Sequence, residues 1–126
     1  MFGNLKIFHI NINGLRNKLH EVTAIFHHYD PTVLAITETK LDKTITDGLL
    51  MINGFKFLRL DRPESTGGGL VLYHKGNVSL KPIKSHLSDC ESLYVDINIS
   101  RRKSLKVMVI YRPPSTNIHN FICSLD

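Results

Sequence analysis

The sequence predicts an α/β fold, and three patterns predict it. Residues 5–37 read as strand, helix, strand; the second strand of that unit is a continuous apolar run; and residues 93–111 alternate apolar and polar on either side of a short polar turn. Leu5-Lys6-Ile7-Phe8-His9-Ile10 opens the unit as a β-rich run, and Asn11-Ile12-Asn13-Gly14 carries the chemistry of a turn and a helix start. Leu15, Leu19, Val22 and Phe26 then recur at spacings of three and four with polar residues between them, the pattern of a helix with one buried stripe. Asp30-Pro31 ends it, because proline pushes the preceding residue out of the helical region. Val33-Leu34-Ala35-Ile36-Thr37 has strand length and reads as a strand covered on both faces. A right-handed crossover sets the two strands parallel, so that both carboxyl ends lie at one edge of the sheet.

Past Leu41 the pattern returns to strand at Phe55–Leu60, followed by a loop over Asp61–Thr66, a turn at Gly67-Gly68-Gly69 and a buried strand at Leu70–Tyr73. Three glycines invite a phosphate-cradle reading, but the Lys-Ser/Thr ending is absent and a strand follows, with no helix to receive an anion, so they read as a tight approach of backbones at a sheet edge. Leu93, Val95, Ile97 and Ile99 alternate with polar residues, Ser100 to Ser104 is a turn, and Leu105, Val107, Val109 and Tyr111 alternate on the return, which makes a hairpin. Glu91, at its first strand's start, is expected to be solvated. Pro113-Pro114 force an extended exit that leaves Tyr111 at the mouth of the sheet. Asn117 to Leu125 reads as the opening of a further helix.

Composition gives a globular chain: 42% of the 126 residues are hydrophobic and 21% charged. A net charge of +5 permits a polyanionic partner, although Arg101-Arg102-Lys103 is the one short basic run and a solvated basic surface reads equally well. Cys90 and Cys123 are too few for a disulfide framework or a zinc knuckle, so reduced structural thiols and an intracellular compartment, nuclear or cytoplasmic, are expected. No run approaches bilayer-spanning length, and the amino terminus lacks the apolar core of a signal peptide. The seven histidines show no metal-ligand spacing.

Asn11 and Glu38, each at the end of a parallel strand, can converge on one crevice. A carboxylate there is a hard oxygen ligand suited to magnesium, and an amide beside it can hold that carboxylate or a phosphate oxygen. The residues alone leave a helix cap or a solvated strand end open for Glu38, and core packing for Tyr111. Tyr111 could also donate its phenolic hydrogen to a phosphate oxygen, with Arg112 as a charged neighbour.

Taken together, Asn11-Ile12-Asn13-Gly14-Leu15, Ile36-Thr37-Glu38-Thr39-Lys40-Leu41, Arg59-Leu60-Asp61-Arg62-Pro63 with Gly67 to Gly69, and Tyr111-Arg112-Pro113-Pro114-Ser115 resemble, in order and spacing, the first half of an endonuclease/exonuclease/phosphatase domain. The similarity is to the apurinic-endonuclease-like branch found in non-LTR retrotransposons. It implies the amino-terminal half of a four-layer α/β sandwich, two β-sheets flanked by helices, with residues 1–126 a partial domain that stops before the carboxyl-terminal catalytic motifs. It implies a magnesium-dependent (or manganese-dependent) DNA endonuclease associated with a reverse transcriptase. On the matching positions, Glu38 would hold the single metal ion, Asn11 and Tyr111 would be catalytic, and Asn13, Lys40 and Arg112 would contact substrate. Asn13 stands where many apurinic endonucleases carry Asp, Pro114 where they carry Asn, and Glu91 in a place where the family often has a Glu. Neither Gly-Asp-x-Asn nor Ser-Asp-His occurs in the chain, so the metal site is expected to be incomplete and the chain inactive alone. Inner faces formed by Val33 to Ile36, Leu70 to Leu72 and Val107 to Ile110 are then expected to be partly uncovered, favouring self-association or a complementing carboxyl-terminal half. Two other readings remain: a non-catalytic nucleic-acid-binding remnant using Arg101, Arg102, Lys103, Lys106 and Arg112, and an interaction module that recruits a chain to an unpaired sheet edge. A phosphatase of the same superfamily would share the metal site.

Overall fold

The computed structural model describes residues 5–62, 67–87, 90–113, 119 and 122, and over them two β-sheets stack with a helix against the first. β1 (Ile7–Asn11), α1 (Leu19–Tyr29) and β2 (Val33–Thr37) form the expected unit, β1 and β2 running parallel with Ile7 opposite Val33 and Asn11 opposite Thr37. β3 (Phe55–Leu60) and β4 (Leu70–Lys75) complete a sheet of order β1-β2-β4-β3, in which β4 is antiparallel to both neighbours. β5 (Leu80–Ile83), β6 (Glu91–Ser100) and β7 (Lys103–Tyr111) form a second, antiparallel sheet. Three of the four layers implied by the fold class are thus in place. The helix expected over 117–125 lies, apart from positions 119 and 122, outside the described residues.

Burial follows strand alternation. Leu34 and Ile36 of β2 and Val71 and Tyr73 of β4 point toward α1, where they meet Val22 and Phe26. Val33, Ala35, Leu70 and Leu72 point the other way and pack on Val95, Ile97 and Val109 of the second sheet. Val33 to Ile36 and Leu70 to Leu72, expected to form a partly uncovered inner face, are instead buried within this chain and divide between two cores, because successive strand residues face opposite sides. Tyr73 closes the helix-side core with its hydroxyl, which donates to the Leu50 carbonyl at 2.6 Å; burial pushes the pKa of this phenol up to about 12.

Two boundaries differ from the sequence expectation, the helix start and the hairpin turn, while the helix end falls at Asp30 as expected. The helix starts at Leu19, four residues after Leu15: Gly14 takes a positive φ of 102° and Leu15 is anchored in the loop, its N–H bonded to the Thr39 carbonyl at 2.8 Å. It ends at Asp30, whose left-handed backbone (φ 49°) lets its N–H return to the Phe26 carbonyl. The hairpin is longer than expected, turning at Arg101-Arg102 with a register shift between Asn98 and Ser100. β5 gave no sequence signal, since Leu80-Lys81-Pro82-Ile83 carries a proline; it is an edge strand, where the missing N–H is tolerated. Among the described residues no helix is long and apolar enough to cross a membrane.

His74, on β4 beside the inter-sheet core, is 6% exposed, and its Nδ1 lies 3.0 Å from the Lys75 carbonyl. Burial lowers its pKa below the usual 6.5, against the raising effect of that carbonyl and together with the charge on Lys56. The unfolded ring binds a proton near its ordinary value while the folded ring resists it, so stability is present above about 6.5 and is lost as pH falls through that value. The urea unfolding midpoint should therefore fall between pH 7 and pH 5, on the histidine range, and His74→Gln should flatten that fall; an unchanged slope in the variant would exclude His74 as the cause.

Candidate active site

The carboxyl ends of β1 and β2 are knitted together by backbone hydrogen bonds. The N–H groups of Ile12, Gly14 and Leu15 donate to the carbonyls of Thr37, Glu38 and Thr39 at 3.1, 2.8 and 2.8 Å. From the other side, the N–H groups of Thr39 and Lys40 donate to Gly69 and Gly68 at 3.3 and 2.7 Å. Leu15 and Leu41 are buried beneath these loops. Asn13, Glu38 and Lys40 all have left-handed backbones, with φ of 49°, 52° and 54°. Among the described residues the one other non-glycine residue with positive φ is Asp30, at the helix cap. Backbone strain at non-glycine residues concentrates at functional sites, where surrounding structure holds it in place. Here it falls on three positions singled out from the sequence.

The strain has a geometric result. Ile36 faces α1 and Thr37 faces the second sheet, so an extended residue 38 would face α1 again. The left-handed turn breaks that alternation, and the Glu38 carboxylate instead accepts the Tyr111 hydroxyl through Oε1, joining the first sheet to the end of β7. The Tyr111 ring packs on the inter-sheet core while its hydroxyl reaches the crevice, so core packing and a site role coexist in one side chain. The Lys40 ammonium donates to the Asn13 side-chain oxygen, and the Lys18 ammonium to the carbonyls of Ile12 and Asn13 at 2.8 and 3.2 Å. The hydrogen bond to Glu38, then burial, then the Glu38 charge hold the Tyr111 phenol above its ordinary pKa; Glu91 adds to this and Arg62 opposes it.

Asn11 ends β1, exposed and in register with Thr37; no side-chain hydrogen bond joins it to Glu38 among the described residues. Arg112 follows Tyr111, half-buried. The basic run at Arg101-Arg102-Lys103 is not brought to this crevice. It occupies the hairpin tip, the opposite end of β7 from Tyr111, roughly 25 Å away at the usual rise of a strand.

The expectation for Glu91 is corrected: its side chain is only 15% exposed, because it is held by Arg62 at 2.8 Å and by the Gly69 N–H at 2.5 Å. Counting back along the hairpin from its turn would have placed Ser92 opposite Tyr111; the register shift between Asn98 and Ser100 puts Glu91 there instead. The Arg59-x-Asp61 pair also gains a physical meaning. Arg59 grips Asp61 at 2.8 Å, Asp47 at 3.1 Å and the Asp42 carbonyl at 2.7 Å, stapling the loop after Leu41 to β3.

Among the described residues no three His, Cys, Asp or Glu side chains converge as a metal cage. Glu38 alone still fits a hard cation. It forms no ion pair among the described residues, its Oε1 is taken by a neutral hydroxyl, and magnesium commonly binds one or two carboxylates and completes its shell with water and phosphate.

Neither a protein-family profile nor a curated protein matches this sequence. Solved structures do match in fold. The endonuclease domain of TRAS1, a telomere-specific non-LTR retrotransposon, superposes with a TM-score of 0.72 at 9% identity over 97% of this chain and 51% of that one. The human Nocturnin catalytic domain gives 0.70 at 12% identity over 96% and 55%. The apurinic endonuclease LMAP of Leishmania major gives 0.61 at 16% identity over 85% and 38%. The chain thus has the endonuclease/exonuclease/phosphatase fold, and spans about half the length of the structures it matches.

In an ultraviolet titration, the wild-type minus Tyr111→Phe difference should place the Tyr111 phenol above the ordinary tyrosine pKa of 10.0, and Glu38→Gln should bring it down by removing the charged acceptor. A Tyr111 transition that ignores Glu38→Gln would refute the contact.

Proposed function

We propose that this chain carries the amino-terminal part of a metal-dependent DNA endonuclease domain of the non-LTR retrotransposon type. The observation that carries the reading is the Glu38–Tyr111 contact across the two sheets, set in a crevice of strained loops at the strands' carboxyl edge. The likeness to the TRAS1 endonuclease domain supports the retrotransposon type, and a Neisseria 3′ phosphatase of the same fold, solved with a product DNA hairpin, supports DNA as the ligand class.

In this reading Glu38 holds magnesium or manganese. When bound, the ion would supply positive charge to the phosphate and acidify water. Oε2 of Glu38 is the oxygen left for the ion, since Oε1 accepts from Tyr111. Tyr111 fixes the carboxylate and can pass its hydroxyl hydrogen bond to a phosphate oxygen as charge develops there. Asn11 lies at the mouth of the same strand edge and steadies the phosphate. Asn13, Lys40 and Arg112 line the approach, where the Lys40 ammonium, oriented by Asn13, contacts the DNA backbone. The reading assigns none of the described crevice residues to take the proton of an attacking water, and the sequence contains neither Gly-Asp-x-Asn nor Ser-Asp-His.

The 126 residues alone should not nick supercoiled or abasic DNA in magnesium. Fused to a complementing carboxyl-terminal half they should, and Glu38→Ala should then lower cleavage by about 100-fold or more, the scale on which lost electrostatic stabilisation acts. Metal-dependent nicking by the chain alone would refute the first statement, and unchanged cleavage in the fused variant would remove Glu38 from the site.

One observation favours a partner for the chain. A groove of about 280 Å³ runs between β1 and β7, lined by Ile7, His9, Val33, Ala35, Val107 and Val109 among others, and both strands are sheet edges. The complementing half, or failing it a second copy, is proposed to fill this groove. Sedimentation of the isolated chain should show association that Val107→Glu reduces; a monodisperse wild-type monomer would contradict the open-groove reading.

A further inference from the structure

The grip on Glu91 reaches further than a surface ion pair. Oε2 accepts from Arg62 at 2.8 Å and Oε1 from the Gly69 N–H at 2.5 Å, so one carboxylate of the second sheet is bonded to the Gly68-Gly69 arch of the first. The arch in turn accepts the N–H groups of Lys40 and Thr39 through the Gly68 and Gly69 carbonyls at 2.7 and 3.3 Å. Those two residues directly follow Glu38.

The glycines are required by this arrangement. Gly68 and Gly69 have φ of 69° and 94°, and a Cβ at Gly68 would lie 2.4 Å from the Arg62 Nη2 and 2.6 Å from the Glu91 Oε2. A Cβ at Gly69 would lie 2.4 Å from the Thr39 Oγ1. A side chain at either position would force the carboxylate or Thr39 out of place. Glu91 also sits opposite Tyr111 in the β6–β7 register, so it neighbours both members of the Glu38–Tyr111 pair: Tyr111 through the sheet and Glu38 through the arch.

We infer that Glu91, gripped by Arg62, is a positioning residue for Glu38. It ties the Gly68-Gly69 arch to the second sheet, and the arch holds the Thr39-Lys40 backbone so that Glu38 keeps the left-handed turn that aims its carboxylate at Tyr111. The arch geometry stands by itself; the consequence for metal binding rests on the proposed role of Glu38.

Hydrogen exchange by mass spectrometry tests the geometry on the chain as it is. Glu91→Ala should raise exchange in peptides carrying the Thr39, Lys40 and Gly69 amides about 10-fold, the scale of one charge-assisted hydrogen bond, and leave the α1 amides within about 2-fold. Glu91→Gln keeps an acceptor for the Gly69 N–H and should restore most of the protection. Arg62→Ala, at a side chain 31% exposed, should loosen the same peptides and serves if Glu91→Ala fails to fold. Exchange unchanged at Thr39 and Lys40, or raised equally across the whole chain, would overturn the inference. Terbium emission sensitised by tyrosine reports the coupling to metal. Glu38→Ala should abolish it and Glu91→Ala should weaken binding about 10-fold, the range seen when groups that orient a metal ligand are removed. Emission that depends on Glu38 and ignores Glu91 would also overturn the inference, whereas loosened peptides without Glu38-dependent emission would count against the metal role of Glu38 and leave the positioning role supported.

Discussion

A strand with every position buried has to be covered on both sides, and Val33–Thr37 is covered by two different layers. Leu34 and Ile36 need α1, while Val33 and Ala35 need the second sheet, and each leucine, isoleucine or valine buried this way contributes on the order of 1.5–3 kcal/mol. β4 obeys the same constraint beside it, with Val71 and Tyr73 on one face and Leu70 and Leu72 on the other. The chain leaving β2 therefore emerges between layers. Its first residue past the strand, Glu38, sits at the seam of the two sheets, within reach of a side chain that ends β7.

The seam is held open against strain. A non-glycine residue in a sparsely populated backbone region costs about 1–3 kcal/mol, and Asn13, Glu38 and Lys40 each bear that cost, Asn least. Offsetting it are the loop bonds of Gly14, Leu15, Thr39 and Lys40, each net about 1 kcal/mol, and the burial of Leu15 and Leu41 beneath them. Terms of similar size oppose one another, so the loop conformation depends on the bonds from the Gly68-Gly69 arch as much as on those from the first loop. A local rule is broken here, and neighbouring segments sustain the break.

The parallel pair, the doubly covered strand and the hairpin could be read from the sequence because each rests on periodicity within one segment. Val33 to Ile36 showed no polar position, and Leu93 to Ile99 alternated without a break. What could not be read depends on partners distant in sequence. Leu15 fits the stripe of α1, yet the carbonyl of Thr39 claims its N–H, and the helix starts later. Glu91 resembles any carboxylate at a strand start until Arg62 and Gly69 are brought to it. Of the site residues, Glu38 with Tyr111 and Asn13 with Lys40 meet as pairs, whereas nothing in their spacing revealed that Asn13, Glu38 and Lys40 all have left-handed backbones. The triple glycine was legible as a close approach of backbones; what it approaches was not.

Charge bookkeeping within the crevice separates its two glutamates. Glu91 is matched by Arg62 and a backbone N–H, and so is compensated inside the fold. Among the described residues the Glu38 carboxylate is hydrogen-bonded by the Tyr111 hydroxyl and by no cation, while the nearest sequence cation, Lys40, is drawn away to Asn13. A half-buried carboxylate that is hydrogen-bonded but not ion-paired keeps most of its negative field, and desolvation makes that field stronger than it would be in water. Tyr111 neutralises none of it, because its phenol, held above its ordinary pKa by this same carboxylate, stays protonated at neutral pH. The arrangement therefore leaves the second carboxylate oxygen of Glu38 without a hydrogen-bond partner among the described residues, at the seam of two sheets, while the ammonium of Lys40 is engaged elsewhere.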